Sequence, residues 1–336
     1  MRKPDFANVL AILRREVPSR PTLFEFFLND PLYRKLAEGT GWERGEATDG
    51  YRLLINAFGR AGYDYATVHG PGFSFPAGPV RQEQTRSINE GWVIQDWASF
   101  RSYPWPDPDA PDYSLLAAVA PDLPEGMKLV VCGPGGVLEN AFFLLGYDNL
   151  CYLIADQPEL AQAVCDEVGS RLVRYYEHCV RWETVGAIIS NDDWGFKTQT
   201  MLSPRDMRRF IFPWHQRIVE VAHAAGKPAI LHSCGQLEAV MEEIITEMGY
   251  DGKHSYEDAI CPVEEAYERW GSRIAILGGL DLDFVCRSTP DEVRERARRM
   301  LERTRGRGSY GLGTGNSVPE FVPVENYFAM TSAALG

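Results

Sequence analysis

Eight short apolar or β-branched stretches recur along the chain, separated by longer segments, most of them of helical period. They read "PTLFEFF" (21–27), "YDYATVHG" (63–70), "KLVVCGPG" (128–135), "GAIISNDD" (186–193), "KPAILHSCG" (227–235), "YDGKHS" (250–255), "IAILGGLD" (274–281) and "GSYGLGTGN" (308–316). Several are apolar without alternation, as parallel strands covered on both faces must be. Strands alternating with helices in this way predict a single α/β domain over 1–336, a (β/α)8 TIM barrel. The interval of about 71–127, after the second strand, is too long for a simple crossover and predicts a lid-like insertion rich in Trp, Pro and Asp.

Helix signals support the alternation. Ser203 is a cap for a helix over 203–226, with Pro204 at its first position and Gly226 at its stop. Met207, Phe210, Ile211, Trp214, Ile218 and Val221 fall on one stripe of it, and Pro213 predicts a bend. Thr289, Pro290 and Glu292 spell a capping box for the helix that follows. A third helix is expected from about Pro158 to Trp182.

In a barrel of this kind the chemistry sits at the C-terminal ends of the strands. The residues found there are Glu25, His69, Asn191 with Asp192 and Asp193, His232 with Cys234, His254 with Glu257, Asp281, and Asn316. Almost every strand ends in a group able to ligate a metal or move a proton.

His232 and Cys234 are the strongest local signal. Two apart on a strand, they point to one face, and zinc accepts both imidazole nitrogen and thiolate sulfur. Two buried residues that merely alternate would look the same. In "KHSYED" either His254 or Glu257 could complete a site, and a loop carboxylate bonded to backbone amides is the plainer alternative. Asp192 and Asp193 in "NDDWG" suit general acid–base work or substrate anchoring, with one raised pKa if they share a proton; equally, one could cap the next segment. Glu25, His69, Asn191, Asp281 and Asn316 are candidate substrate contacts, although burial with a satisfied hydrogen bond explains His69 and Glu25 as well. The glycine runs "GLGTGN" and "GPGG" resemble phosphate loops only weakly. The tryptophans of 92–105 either wall a flat substrate or fill a small lid core.

A net charge of −13 argues against a nucleic-acid partner, since nothing concentrates positive charge against phosphate. In "RERARRMLERTRGR" glutamates interleave with arginines, as on a solvated helix face. The charged first turns exclude a signal peptide, and the sequence holds no membrane-spanning apolar run. Seven scattered cysteines do not make a disulfide framework, so a cytoplasmic protein with reduced thiols is expected.

Taken together, "NVLAILRREVPSRP", "YPWPDPD", "DDWGFKTQTMLSPRDMRRFIFPWHQRIVEVAHAAG", "LHSCG", "AILGGLD", "TPDEVRERAR" and "GLGTGNSVPEFVPVENYFAM" resemble the uroporphyrinogen decarboxylase superfamily over nearly the whole chain. The resemblance implies a (β/α)8 barrel and one of two activities. The decarboxylases hold a polyanionic tetrapyrrole through an arginine-rich N-terminal segment; the matching "LFEFFLNDPLYRKL" places Glu25 there instead. The other branch, similar to methylcobamide:coenzyme M methyltransferase, binds zinc through a His-x-Cys pair at the fifth strand and a further cysteine near the eighth. His232 and Cys234 match the pair. Thr314, Gly315 and Asn316 stand where the second cysteine would be, which leaves Glu257, with His254 as substitute, to complete the metal site.

The expectation is therefore a zinc-dependent methyltransferase of one-carbon metabolism. It would work with a separate corrinoid protein and move a methyl group between methylcobalamin and a thiol, methoxyl or similar small substrate. Asp192, Asp193 and Glu257 would serve catalysis, in a monomer or homodimer. A metal-free decarboxylase and a non-catalytic binding barrel are the alternatives.

Overall fold

The computed structural model describes residues 2–78, 89 and 91–336. Eight parallel strands form one curled sheet: β1 (Thr22–Leu23), β2 (Tyr65–His69), β3 (Lys128–Cys132), β4 (Val185–Asn191), β5 (Ala229–His232), β6 (Gly252–His254), β7 (Ala275–Leu277) and β8 (Tyr310–Leu312). Their order is β1-β8-β7-β6-β5-β4-β3-β2, each paired in parallel with its neighbour. All eight expected strands are present, and the fold is the (β/α)8 barrel. Ile188 and Ile189 of β4, Ile230 and Leu231 of β5, and Ala275 to Leu277 of β7 are fully buried, as a sheet with both faces covered requires.

Among the described residues no backbone ladder joins β1 to β2; side chains close that seam. The Tyr65 hydroxyl accepts from Glu25 N and donates to Glu25 O, both at 2.7 Å. Thr67 Oγ1 adds a bond of 3.3 Å to the same carbonyl. With only two residues in ladder register, β1 depends on these bonds to satisfy its backbone where it leaves β8.

The expected helix over 203–226 is three pieces. After Ser203, whose hydroxyl accepts from Asp206 N, Pro204–Asp206 is α-helical, Met207–Ile211 is π-helical, and Phe212–Ala224 returns to α. The wide turn falls immediately before Pro213, which has no N–H to give, so the helix widens there where a bend was expected. The other two helices run Pro158–Cys179 and Pro290–Thr304, the latter with its capping box formed.

Of the expected insertion, residues 79–88 and 90 lie outside the described residues. Trp97, Phe100, Tyr103 and Trp105 contact one another edge-on. Arg171 of Pro158–Cys179 lies 5.1 Å from the Trp105 ring centre and donates to the Pro106 carbonyl. These aromatics form a small core against an outer helix. No helix of the described chain is long and apolar enough to cross a membrane.

The seam bonds make a direct prediction. Tyr65→Phe leaves the buried Glu25 N–H without an acceptor and should cost about 1–3 kcal/mol of stability. Urea unfolding checks it, and an unchanged midpoint would show that the seam holds without the hydroxyl.

Candidate functional site

The strand ends converge on one group of ligand atoms. An oxygen of Asp193, a ring nitrogen of His232 and the sulfur of Cys234 all lie within 4.8 Å of one another. Two turns bring them together. After β4 the chain runs Asp192-Asp193-Trp194-Gly195, and after β5 it runs Ser233-Cys234-Gly235. The two are laced by Asp192 N to His232 O (3.0 Å), Trp194 N to Ser233 Oγ (3.2 Å) and Gly195 N to Cys234 O (3.1 Å). Gly235, at φ +86°, allows the close approach of the two turns: a Cβ there would lie 2.1 Å from the Gly195 carbonyl oxygen. Cys234 N then donates to Asp193 Oδ1 at 2.9 Å.

The sulfur sits among polar groups. Asn316 Nδ2 is 3.2 Å and Ser255 Oγ 3.6 Å from Cys234 Sγ, and His232 Nε2 is 3.9 Å away. Burial first, then the neighbouring Asp193 carboxylate, pushes the Cys234 thiol up, and burial also raises Asp193. Burial holds His232 far below its usual range, hence neutral. Lys253, buried beside this cluster with its ammonium 4.2 Å from the Tyr256 ring centre, is pulled down to about 8 by the same desolvation. One imidazole nitrogen, one thiol and one carboxylate, gathered without a competing cation among the ligand atoms, is a donor set that suits zinc. The Asn191 amide oxygen, in register with His232, is buried and has no protein partner among the described residues.

The other sequence candidates take different places. Asp192 faces away from Asp193. Its Oδ2 accepts from Leu138 N (2.9 Å) and lies 2.9 Å from His215 Nε2, while its Oδ1 accepts from Glu139 N (2.8 Å). It thus caps the earlier helix Val137–Leu145, where the sequence reading allowed a cap on the next segment. Glu257 is not in the ligand group; its carbonyl closes a turn onto Ile260 and Cys261, and it borders a small cavity of about 20 Å³ with Lys253, Cys261 and Trp270. Asp281 caps Leu282–Arg287 through Phe284 N and also accepts from Asp258 N. His69 stacks on Phe27, with Nδ1 3.2 Å from Cys132 Sγ. His254 lies behind His232, Nδ1 to Nδ1 at 2.8 Å.

Glu25 is fully buried. Thr314 N donates to its Oε2 at 3.2 Å, and Thr314 Oγ1 is 2.5 Å from its Oε1. The Thr314 hydroxyl has one proton, and the Asn316 carbonyl beside it only accepts, so the hydroxyl donates there and Glu25 donates to Thr314. Burial, which lifts this carboxyl to about 8, agrees with a protonated acid.

Sequence reasoning passed over His215, Glu139, Ser255 and Cys132. His215 carried a signal: it sits on the apolar stripe between Ile211 and Ile218, where a polar residue needs a buried partner. Glu139 lies against Asp192 and Asp193, and burial together with those two carboxylates raises its pKa well above the usual range. A cavity of about 720 Å³ lies at the opposite end of the barrel, against Pro18, Thr22, Arg298 and Gly308, and none of the strand-end candidates borders it.

With this geometry in view, the relatives decide the lineage. The family model described as "Uroporphyrinogen decarboxylase (URO-D)" matches residues 116–335, about two thirds of the sequence. The chain belongs to the uroporphyrinogen decarboxylase family. No protein with a curated description matches by sequence. Among solved structures, a methyltransferase from Methanosarcina mazei is similar at a TM-score of 0.72 and 16% identity, over 97% of both chains. A sugar phosphate isomerase/epimerase from Parabacteroides distasonis ATCC 8503 is similar at 0.44 and 12% identity, over 95% of this chain and 97% of that one. The first of these likenesses shows a shared fold.

The Glu25 assignment has a pH consequence. Below the ordinary value of 4.5 the carboxyl is neutral in both folded and unfolded chains. Between 4.5 and about 8 only the unfolded chain ionises, so folding stability falls as pH rises, by up to about 1.4 kcal/mol per pH unit. Glu25→Gln keeps the shape and both Thr314 contacts, and should flatten this slope. Urea midpoints measured between about pH 5 and pH 8 test it; parallel slopes for the two proteins would show that Glu25 ionises normally.

Proposed function

We propose that the chain is a zinc-dependent methyltransferase working with a separate corrinoid protein, in which a methyl group passes between the partner's methylcobalamin and a thiol, methoxyl or similar small substrate. One observation carries the reading: the meeting of Asp193, His232 and Cys234 at the C-terminal mouth of the barrel. The family membership and the fold shared with a methyltransferase support it.

His232, Cys234 and Asp193 would hold the zinc. Bound there, it would supply Lewis acidity, making a substrate thiol anionic at neutral pH or polarising an ether oxygen. Asn316 donates to the Cys234 sulfur, a bond that stabilises its anionic form, while the thiol itself donates to Ser255 Oγ. The Cys234 thiol must lose its proton to solvent for the sulfur to ligate, and Asp193, whose oxygen accepts from Cys234 N, would stay ionised as the second anionic ligand. Phe26, stacked on His232 at 4.2 Å between ring centres, and Phe27, stacked on His69 at 5.0 Å, form an apolar wall that keeps water from the nitrogen side. The buried Asn191 oxygen is free to accept from a substrate donor. The reading makes the whole chain one cytoplasmic barrel domain.

Metal content is the test. Purified protein offered zinc should carry about one equivalent, and His232→Ala, Cys234→Ala and Asp193→Ala should each bind at least about tenfold more weakly. Affinity should rise with pH, because burial holds the Cys234 thiol protonated and the metal must displace that proton. Methyl transfer from methylcobalamin to a thiol panel should follow the metal. No zinc in protein prepared without chelator would return the chain to the metal-free decarboxylase or binding readings.

A further inference from the structure

Behind the proposed ligand nitrogen, a second imidazole settles which nitrogen it is. His232 Nδ1 and His254 Nδ1 are 2.8 Å apart, so one of them carries a hydrogen and the other a lone pair. The far side of His254 decides between them. Its Nε2 lies 3.2 Å from the Thr314 carbonyl oxygen, which can only accept, so Nε2 holds the hydrogen of that ring. His254 is fully buried against the Phe24 ring, where a neutral imidazole is the favoured form, and a neutral ring with Nε2–H has a bare Nδ1. His232 therefore donates from Nδ1, and its Nε2, the atom facing Cys234 Sγ, is the bare one.

The arrangement is built rather than incidental. Thr314 is held by three contacts: its N–H on Glu25, its hydroxyl beside Glu25 and Asn316, and its carbonyl accepting Gly279 N at 2.8 Å as well as His254. Gly278, at φ +69°, leaves the space: a Cβ there would lie 2.7 Å from His254 Nε2 and 2.2 Å from the Thr314 carbonyl oxygen. Phe24 at 5.2 Å flanks the His254 ring, and Phe26 stacks on His232.

We infer that His254 is a positioning residue of the metal site: anchored on Thr314, it fixes His232 in the Nδ1–H tautomer and so presents Nε2 as the ligand atom. Partners of this kind orient metal-bound imidazoles through the nitrogen that does not ligate. The metal-binding half of the inference rests on the function proposed above; the tautomer half does not.

The experiment is nitrogen-15 NMR of histidine-labelled, metal-free protein together with zinc titration, on the wild type, His254→Phe and His254→Asn. The wild type should show His232 with hydrogen on Nδ1 and a bare Nε2. His254→Phe keeps the ring volume but offers no acceptor; it should lose the tautomer preference and bind zinc about 10–100-fold more weakly. His254→Asn places an amide oxygen near the position of the imidazole Nδ1 and should recover affinity to within about threefold of wild type, which a purely volumetric role would not produce. A wild-type spectrum with hydrogen on His232 Nε2 overturns the inference by itself, even where His254→Phe does not fold. Unchanged zinc affinity in His254→Phe with an unchanged tautomer also overturns it. A wild type that binds no zinc defeats the proposed function, while the spectrum still decides the tautomer.

Discussion

The mouth of this barrel is organised by one buried carboxylate. Asp192 is fully inaccessible, and both its oxygens are taken, by two N–H groups of the helix Val137–Leu145 and by His215 Nε2. A carboxylate stripped of water without such partners would cost several kcal/mol. The turn after β4 is therefore fixed against two helices at once. His215 is held in turn, with Nδ1 2.7 Å from the Tyr250 hydroxyl and 3.2 Å from Ser190 Oγ. Gly136 completes the fit, since a Cβ there would lie 2.0 Å from Asp192 Cβ. With Asp192 turned toward the helices, the next residue faces the other way. That is what carries Asp193 to Cys234.

The fold was legible because period and covering are local properties. Apolar runs such as "AIIS" and "AIL" declare a doubly covered strand wherever they occur, and caps such as Thr289 declare a helix start. What was less legible was where each strand ends. The expected spans run past the ladders into the polar residues: 227–235 against Ala229–His232, and 308–316 against Tyr310–Leu312. Those added residues still share hydrogen bonds with neighbouring turns, as Ser233 N does with His254 O, but not in continuous strand register. β1 is the extreme case. Its seam with β2 is held by the Tyr65 and Thr67 side chains, and no backbone period encodes a bond of that kind.

At the site, the sequence could pair His232 with Cys234 two positions on, although β5 ends at His232 and the turn after it, not a shared strand face, brings Cys234 alongside. It could not separate Asp192 from Asp193, since the N–H groups that claim Asp192 belong to Leu138 and Glu139, more than fifty positions earlier. Glu257 was drawn toward the metal by its nearness in sequence to His254. After His254, however, the chain passes through Ser255 and Tyr256 into a turn, and Glu257 ends beside Lys253 and Cys261 instead. His254 itself stands at the expected strand end, but with its nitrogens engaged by His232 and Thr314. Which atom of a histidine is free depends on partners that only the assembled strand order supplies.

The missing second cysteine then has a physical reading. In the methyltransferase branch that the sequence resembles, a thiolate near the eighth strand would balance charge: two thiolates and a neutral imidazole neutralise a dication. Here the eighth-strand position gives Asn316, whose amide donates to Cys234 Sγ and brings no charge. In the proposed function Asp193 would restore the count from the other side of the site, so that one thiolate, one carboxylate and one neutral imidazole would again balance a dication. The two sets are not equivalent in softness. A carboxylate gives less electron density than a thiolate, and a thiolate that accepts a hydrogen bond from Asn316 gives less than a bare one. In the proposed function a metal held by this set is the stronger Lewis acid, better matched to an oxygen donor such as a methoxyl group than a two-thiolate site would be. On that reading, an aspartate after β4 in place of a cysteine near β8 would change which substrates the site could polarise without disturbing its charge.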